Sequence, residues 1–297
     1  MDIVIASQGL TRRFGARTVV DRLGLQVRAG VITGFLGPNG AGKTTTISLL
    51  LGLLKPSAGT AEVLGWPPGH PAALAHIGAL VESPALYDHL TGLENLEITR
   101  RIRDLPASEL DRVLGLVDLT RDARRPVREY SLGMRQRLGV ALALLGQPRL
   151  LILDEPTNGL DPAGIQDMRK LIRRMPSETG ASIFLSSHLL AEMEQVAQDV
   201  VVIHHGRIRY QGAMAEMGGD TPGTLDIRVD QTERALQILA ARGVVATAQG
   251  SLLQVEAQAD GAPRIAAELI SAGMALYELT PRKASLEARF LAMTEEA

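Results

Sequence analysis

The chain contains no cysteine in its 297 residues. That excludes a disulfide framework, thiolate metal ligands and a cysteine nucleophile, and is compatible with a reducing compartment. Long hydrophobic runs are also missing: Ile47 to Leu54 and Val140 to Leu145 fall short of the roughly 18 apolar residues that span a bilayer. No basic segment precedes an apolar one at the amino terminus, so neither a signal peptide nor a membrane span is expected, and the chain itself is read as soluble. Charge of one sign does not dominate either. A net charge of −2 and a pI near 6.3 give no electrostatic footprint for nucleic acid. Lysine is scarce, only Lys43, Lys55, Lys170 and Lys283 among 31 basic residues, so a lysine at a chemically demanding position stands out.

What is present describes an ordinary globular chain, 45% apolar and 22% charged, long enough for two domains. Its most informative stretch is Gly37-Pro38-Asn39-Gly40-Ala41-Gly42-Lys43-Thr44-Thr45, between the apolar Val31 to Leu36 and the helix-like Thr46 to Leu54. A glycine-rich turn between a buried strand and a helix N-terminus can curl successive N–H groups around phosphate oxygens, and the helix adds free N–H groups and its positive dipole end. Lys43 is then placed to reach β- and γ-phosphates, the Thr44 hydroxyl to ligate Mg²⁺, and Thr45 to add a phosphate contact. The loop implies a nucleoside triphosphate.

Taken in order, residues 3 to 36 read as short strands at Ile3 to Gln8, Val19 to Val27 and Val31 to Leu36, with a turn-like Thr11 to Arg17 between the first two. Phe14 in that turn is either an exposed stacking platform for a base or an ordinary anchored hydrophobe. A strand follows at Thr60 to Leu64 and another at His76 to Glu82, then a charged helical region over 93 to 124 broken at Leu105-Pro106. Ser131 reads as the N-cap of a helix running to about Gly146. Leu150 to Leu153 fit a strand buried on both faces, and it ends in Asp154 and Glu155, where α/β sheets place ligands. A solvated strand end is the alternative. Asn158 to Pro162 is a turn, Ala163 to Met175 a helix, Ala181 to Ser186 a strand, and His188 lies at its end as either a structural or a catalytic histidine.

In this order the segments resemble the ATP-binding cassette of ABC transporters over about residues 3 to 217. Gly37 to Thr45 resembles the Walker A loop, Leu150 to Glu155 the Walker B strand with its terminal glutamate, and Tyr130-Ser-Leu-Gly-Met134 the signature motif. Asn158-Gly-Leu-Asp161 is similar to the D-loop, His188 to the switch histidine, and Phe14 to the aromatic that stacks on adenine. Two positions depart from the usual pattern: Leu132 and Met134 in the signature, and Glu82 where the family has glutamine. Both are similar to the drug and peptide-antibiotic exporters that include bacitracin-resistance ATPases.

The resemblance implies an α/β P-loop cassette with a RecA-like core, an N-terminal antiparallel β subdomain and a helical signature subdomain. It implies an ATPase in which Glu155 polarises water, His188 holds the γ-phosphate, and Thr44, Asp154 and Glu82 face Mg²⁺. Ser131, Gly133 and Asp161 are then expected to act in trans on the ATP of a second chain in a head-to-tail dimer. Separate membrane-spanning permease subunits are the implied partners, docking near Glu82 to Glu94 with Tyr87 and Leu93 as contacts, and they hold the chain on the inner face of the membrane. The alternatives are a soluble cassette ATPase acting on ribosomes or DNA, which usually has paired or interrupted cassettes, and a regulatory module without turnover, disfavoured by Glu155 and His188.

Beyond residue 217, Gly218 to Gly223 reads as a linker. Residues 225 to 279 then follow the strand and helix order βαββαβ of a ferredoxin-like unit, closed by a helix at Ser285 to Ala292. This second domain, 218–297, is expected to be accessory or regulatory.

Overall fold

The computed structural model describes residues 2–217, 224–250, 252–256, 261–282 and 286–295. The chain divides into two compact units, Met1–Met214 and Ala215–Ala297. The linker reading at 218 to 223 and the start of the last helix at Ser285 lie outside the described residues.

The first unit opens with β1 (Ile3–Phe14), β2 (Arg17–Leu23) and β3 (Gln26–Arg28), an antiparallel layer in the order β2-β1-β3. The sequence suggested a strand ending at Gln8 and a turn from Thr11. The structure instead carries β1 through to Phe14, and a two-residue turn at Gly15-Ala16 follows, with Gly15 at φ 57°. Register shifts at Leu10/Arg12 and Arg12/Arg13 explain the misreading, because bulges break the strict alternation by which a strand is recognised. The single strand expected over Val19 to Val27 is likewise split, with Arg22 in the left-handed region at φ 52° just ahead of the break.

Next come β4 (Ile32–Leu36), α1 (Lys43–Leu50), β5 (Ala58–Val63), which pairs with β1, α2 (Pro71–Leu74) and β6 (Ile77–Leu80). Helix α1 stops four residues short of the expected Leu54. Gly52 turns at φ 75° and approaches Gly69 so closely that a Cβ would lie 2.5 Å from the Gly69 Cα. A helical subdomain follows with α3 (Gly92–Ile102), α4 (Ser108–Leu116) and α5 (Leu132–Leu144), the break at Leu105-Pro106 falling where expected. The unit closes with β7 (Leu150–Asp154), α6 (Pro162–Thr179), β8 (Ser182–Ser187), α7 (Leu190–Val196), β9 (Asp199–His204) and β10 (Arg207–Ala213).

These last strands join β4 and β6 in a six-stranded sheet of order β10-β9-β4-β8-β7-β6, parallel except at β10. Every residue of β4, β7, β8 and β9 is buried. Continuous apolar runs rather than alternating ones are what a sheet covered on both faces requires. Phe35 and Phe184 meet in its centre with ring centroids 5.1 Å apart. Because β8 lies between β4 and β7, the chain ends that follow Leu36, Asp154 and Ser187 emerge side by side at one edge. This is where open α/β sheets bind ligands.

The second unit contains β11 (Thr224–Val229), α8 (Thr232–Ala241), β12 (Ala246–Gln249), β13 (Leu252–Glu256), α9 (Ala262–Ser271), β14 (Leu276–Arg282) and α10 (Leu286–Glu295). Its four strands pair antiparallel in the order β12-β13-β11-β14, with the first and third strands side by side, the arrangement of a split βαββαβ unit. Leu225, Ile227, Leu253 and Val255 form its core with Leu239 and Leu269 from the helices.

Candidate active site

The phosphate-binding loop spans the end of β4 and the start of α1, and its backbone is possible only with glycine at two points. A Cβ on Gly37 would stand 2.3 Å from the carbonyl oxygen of Ile203, and a Cβ on Gly42, which has φ 107°, would stand 2.8 Å from the carbonyl oxygen of Val19. Gly42 is the N-cap of α1, so the free N–H groups of the first turn face the loop.

Lys43 lies folded over this loop, only 6% exposed. Its Nζ donates to the carbonyls of Gly37 (2.7 Å) and Pro38 (3.3 Å) and stands 3.1 Å from Glu155 Oε1. The other carboxylate oxygen of Glu155 is 2.9 Å from His188 Nδ1. Glu155 holds a left-handed backbone at φ 50°, a conformation that costs on the order of 1 kcal/mol for a non-glycine residue and is concentrated at functional sites.

Asp154 is 1% exposed and is held from two sides. The Thr44 hydroxyl donates to Oδ2 at 2.8 Å and the Ser186 hydroxyl to Oδ1 at 2.5 Å, while the Ser186 oxygen accepts the Glu155 backbone N–H at 2.9 Å. Ser186 therefore fixes the relation between the two carboxylates. Sequence reading assigned it no role; the available signal was a pair of hydroxyls, Ser186 and Ser187, ending an otherwise apolar strand.

These groups border a cavity of about 420 Å³ lined by Asn39, Gly40, Gly42, Lys43, Thr44, Thr45, Glu155, Asn158 and His188, and by Arg17 and Val19, which sequence reading also passed over. Thr44 Oγ1 and the Asp154 carboxylate are hard oxygen donors set against each other, the donor chemistry that Mg²⁺ takes together with substrate phosphates. Among the described residues no cluster of three His, Asp or Glu is arranged to hold a metal unaided.

The other expected residues lie apart from this cavity. Phe14 ends β1, 47% exposed, with the Arg12 guanidinium 4.6 Å over its ring. Glu82 follows β6, exposed and at φ 58°. Ser131, Gly133 and Asp161 share a second cavity of about 420 Å³ with Leu132, Gly159 and Leu160. There Ser131 caps α5 by accepting the Met134 N–H, and Asp161 caps α6 by accepting the Gly164 N–H. The short segment from Glu155 to Asp161 thus borders both cavities.

Tyr87 is exposed on the segment after β6. Asn95 clamps its backbone, accepting the Tyr87 N–H at 2.8 Å and donating to the Tyr87 carbonyl at 3.2 Å. No helix among the described residues is long and apolar enough to cross a membrane.

Comparison with known proteins agrees with this architecture. The sequence model of the family described as "ABC transporter" matches residues 20–158. The chain is 38% identical over 299 residues to the uncharacterized ABC transporter ATP-binding protein YhcH of Bacillus subtilis (strain 168), covering all of this chain and 97% of that one. It is 47% identical over 211 residues to the bacitracin transport ATP-binding protein BcrA of Bacillus licheniformis, covering 70% and 69% of the two chains. A solved ATP-binding subunit of an ABC transporter superimposes with a TM-score of 0.63 at 30% identity, over 72% of this chain and 91% of that one. The chain therefore belongs to the ABC transporter ATP-binding proteins, the ATP-hydrolysing subunits that pair with membrane permease components.

Proposed function

We propose that the cavity bordered by Lys43, Glu155 and His188 binds the triphosphate of ATP and that a second copy of the chain completes the site. The loop from Gly37 to Thr45 wraps the β- and γ-phosphates with backbone N–H groups, and Lys43 leaves its carbonyl partners for the phosphate oxygens. Glu155 takes a proton from the attacking water as the new O–P bond forms and the β–γ bridge bond breaks, releasing ADP. His188 holds Glu155, the water and the γ-phosphate in line. Thr44 and Asp154 would hold Mg²⁺, which neutralises charge on the phosphate oxygens when bound, and Glu82, exposed after β6, would face that ion only in the closed, nucleotide-bound site. Phe14 stacks on the adenine. Ser131, Gly133 and Asp161 close on the ATP of the partner chain, so that two copies sandwich two nucleotides head to tail.

What supports this reading is the separation of two cavities on one chain. One carries the cationic loop and the acid–histidine pair, and the other carries Ser131 and Gly133 together with Arg137, and has no lysine or acid–histidine pair among its lining residues. Similarity to a bacitracin transport protein makes export of a drug or peptide antibiotic the proposed task. The permease docks by the Tyr87 and Leu93 surface and keeps the chain on the inner membrane face, while the second unit supports or regulates the dimer.

The test is steady-state phosphate release by Glu155→Gln. ATP binding persists and turnover falls by about 10²-fold or more if Glu155 is the base; turnover near that of the unaltered protein overturns the assignment.

A further inference from the structure

Glu192 is a carboxylate that the reading above leaves unused. It lies in the first turn of α7, 6% exposed, and among the described residues it makes no ion pair. Burying a charge without a counter-ion is costly, so the groups that receive it matter. A single oxygen, Oε2, accepts both of its hydrogen bonds: the Thr157 hydroxyl at 2.8 Å and the Ser187 hydroxyl at 3.2 Å. Ser187 Oγ in turn accepts the Leu189 N–H at 3.0 Å, which brackets His188 from both sides. Thr157, 8% exposed, lies two residues after Glu155 in the segment that reaches Asp161 and borders both cavities.

The helix that carries Glu192 cannot shift freely. Its Met193 is packed so tightly on β4 that a Cβ on Gly34 would lie 2.6 Å from the sulfur, and β4 launches the phosphate loop three residues later.

We propose that Glu192 is a positioning residue that ties the Glu155-to-Asp161 segment to His188 and to the strand bearing the phosphate loop. One oxygen receiving two hydroxyls makes the placement of each depend on the other. Glu155 and His188 are thereby kept at the same distance while the segment between the cavities responds to a second chain. The inference rests on the roles given above to Glu155 and His188.

The experiment compares Glu192→Ala, Glu192→Gln, Thr157→Val and Thr157→Ser in the full chain, measuring kcat and, with a fluorescent ATP analogue and MgCl₂, the Kd for nucleotide. Glu192→Ala and Thr157→Val are each expected to lower kcat about 10- to 100-fold with Kd changed less than about threefold, since misplacing catalytic groups by ~1 Å costs that much. The double variant is expected to be no slower than the worse single one, because both remove one link. Glu192→Gln and Thr157→Ser, which keep an acceptor and a hydroxyl, restore most of kcat. Equal losses in kcat and in the folded fraction, additive losses, or no rescue by the conservative variants overturn the proposal. If Glu192→Ala leaves kcat intact while Glu155→Gln and His188→Ala abolish it, this inference fails and the assignment of the two catalytic groups survives. Retained turnover in those two controls removes the assignment itself.

Discussion

His188 Nδ1 lies 2.9 Å from Glu155 Oε2, while the second oxygen of the same carboxylate stands 3.1 Å from Lys43 Nζ. One carboxylate thus joins the lysine that opens α1 to the histidine that follows β8. His188→Ala is expected to lower kcat by about 10²-fold while the Kd for ATP stays within about threefold, because Lys43 and the loop amides remain. Pre-steady-state phosphate release alongside nucleotide titration checks this. A rise in Kd that accounts for the whole loss would mean that His188 serves ground-state binding instead.

Thr44 and Asp154 give a second prediction. Their oxygens are 2.8 Å apart in a partly buried hydrogen bond, so a divalent cation has to displace that contact to be held by both. Chelation by EDTA should abolish ATP turnover, with Mg²⁺ restoring it, and Asp154→Asn should raise the Mg²⁺ concentration needed for half-maximal rate by about tenfold or more. A Mg²⁺ titration of the variant indistinguishable from that of the unaltered chain would contradict this.

Glu109 makes the helical subdomain sensitive to acid. Its hydrogen bonds from Arg112, with further ones from Gln147 and the Gly146 N–H, outweigh the opposing effect of burial and hold its carboxyl down to about 2. An unfolded glutamate titrates near ~4.3. The folded value is the lower of the two, so the stabilisation is complete above the unfolded value and is lost as pH falls through that range toward 2. Glu109→Gln should therefore lower Tm at pH 7 by about 2–6 °C and flatten the decline of Tm between pH 4.5 and 3. Calorimetry across that range decides it, and parallel Tm curves for the two proteins would exclude a role for this carboxylate.

The contact of β6 with α5 supplies a purely structural prediction. A Cβ on Gly78 would lie 1.9 Å from the Ala143 carbonyl oxygen, a backbone atom that cannot turn aside. Gly78→Ala should destabilise by about 2 kcal/mol or more, measured by urea unfolding. A change below about 0.5 kcal/mol would mean that strand and helix separate without cost.

How far the sequence alone reaches can be followed residue by residue. Gly37 to Thr45, Asp154 and Glu155 stood out because glycine spacing, a rare lysine and carboxylates after an apolar run each signal local chemistry, whereas His188 was raised above a structural histidine only by the family resemblance. Ser186 and Glu192 were not, since a serine inside a strand and a glutamate in a short helix acquire meaning only when sheet order places β8 between β4 and β7. The βαββαβ order was readable from turn and periodicity signals. The length of β1 was hidden by its bulges, which erase the alternation on which strand recognition rests. The expected end of α6 at Met175 fell four residues early. The helix runs through Pro176 to Thr179, whose hydroxyl donates to the Met175 carbonyl before Gly180 closes it at φ 72°.

The chain's lack of cysteine permits a direct test of the claim that one copy caps the nucleotide of another. Cysteines placed at Asn39, in the loop cavity, and Ser131, in the other cavity, in a Glu155→Gln background should form a covalent dimer under mild oxidation with ATP and Mg²⁺, and not with ADP. Failure to cross-link with ATP, or equal cross-linking with ADP, would contradict the account.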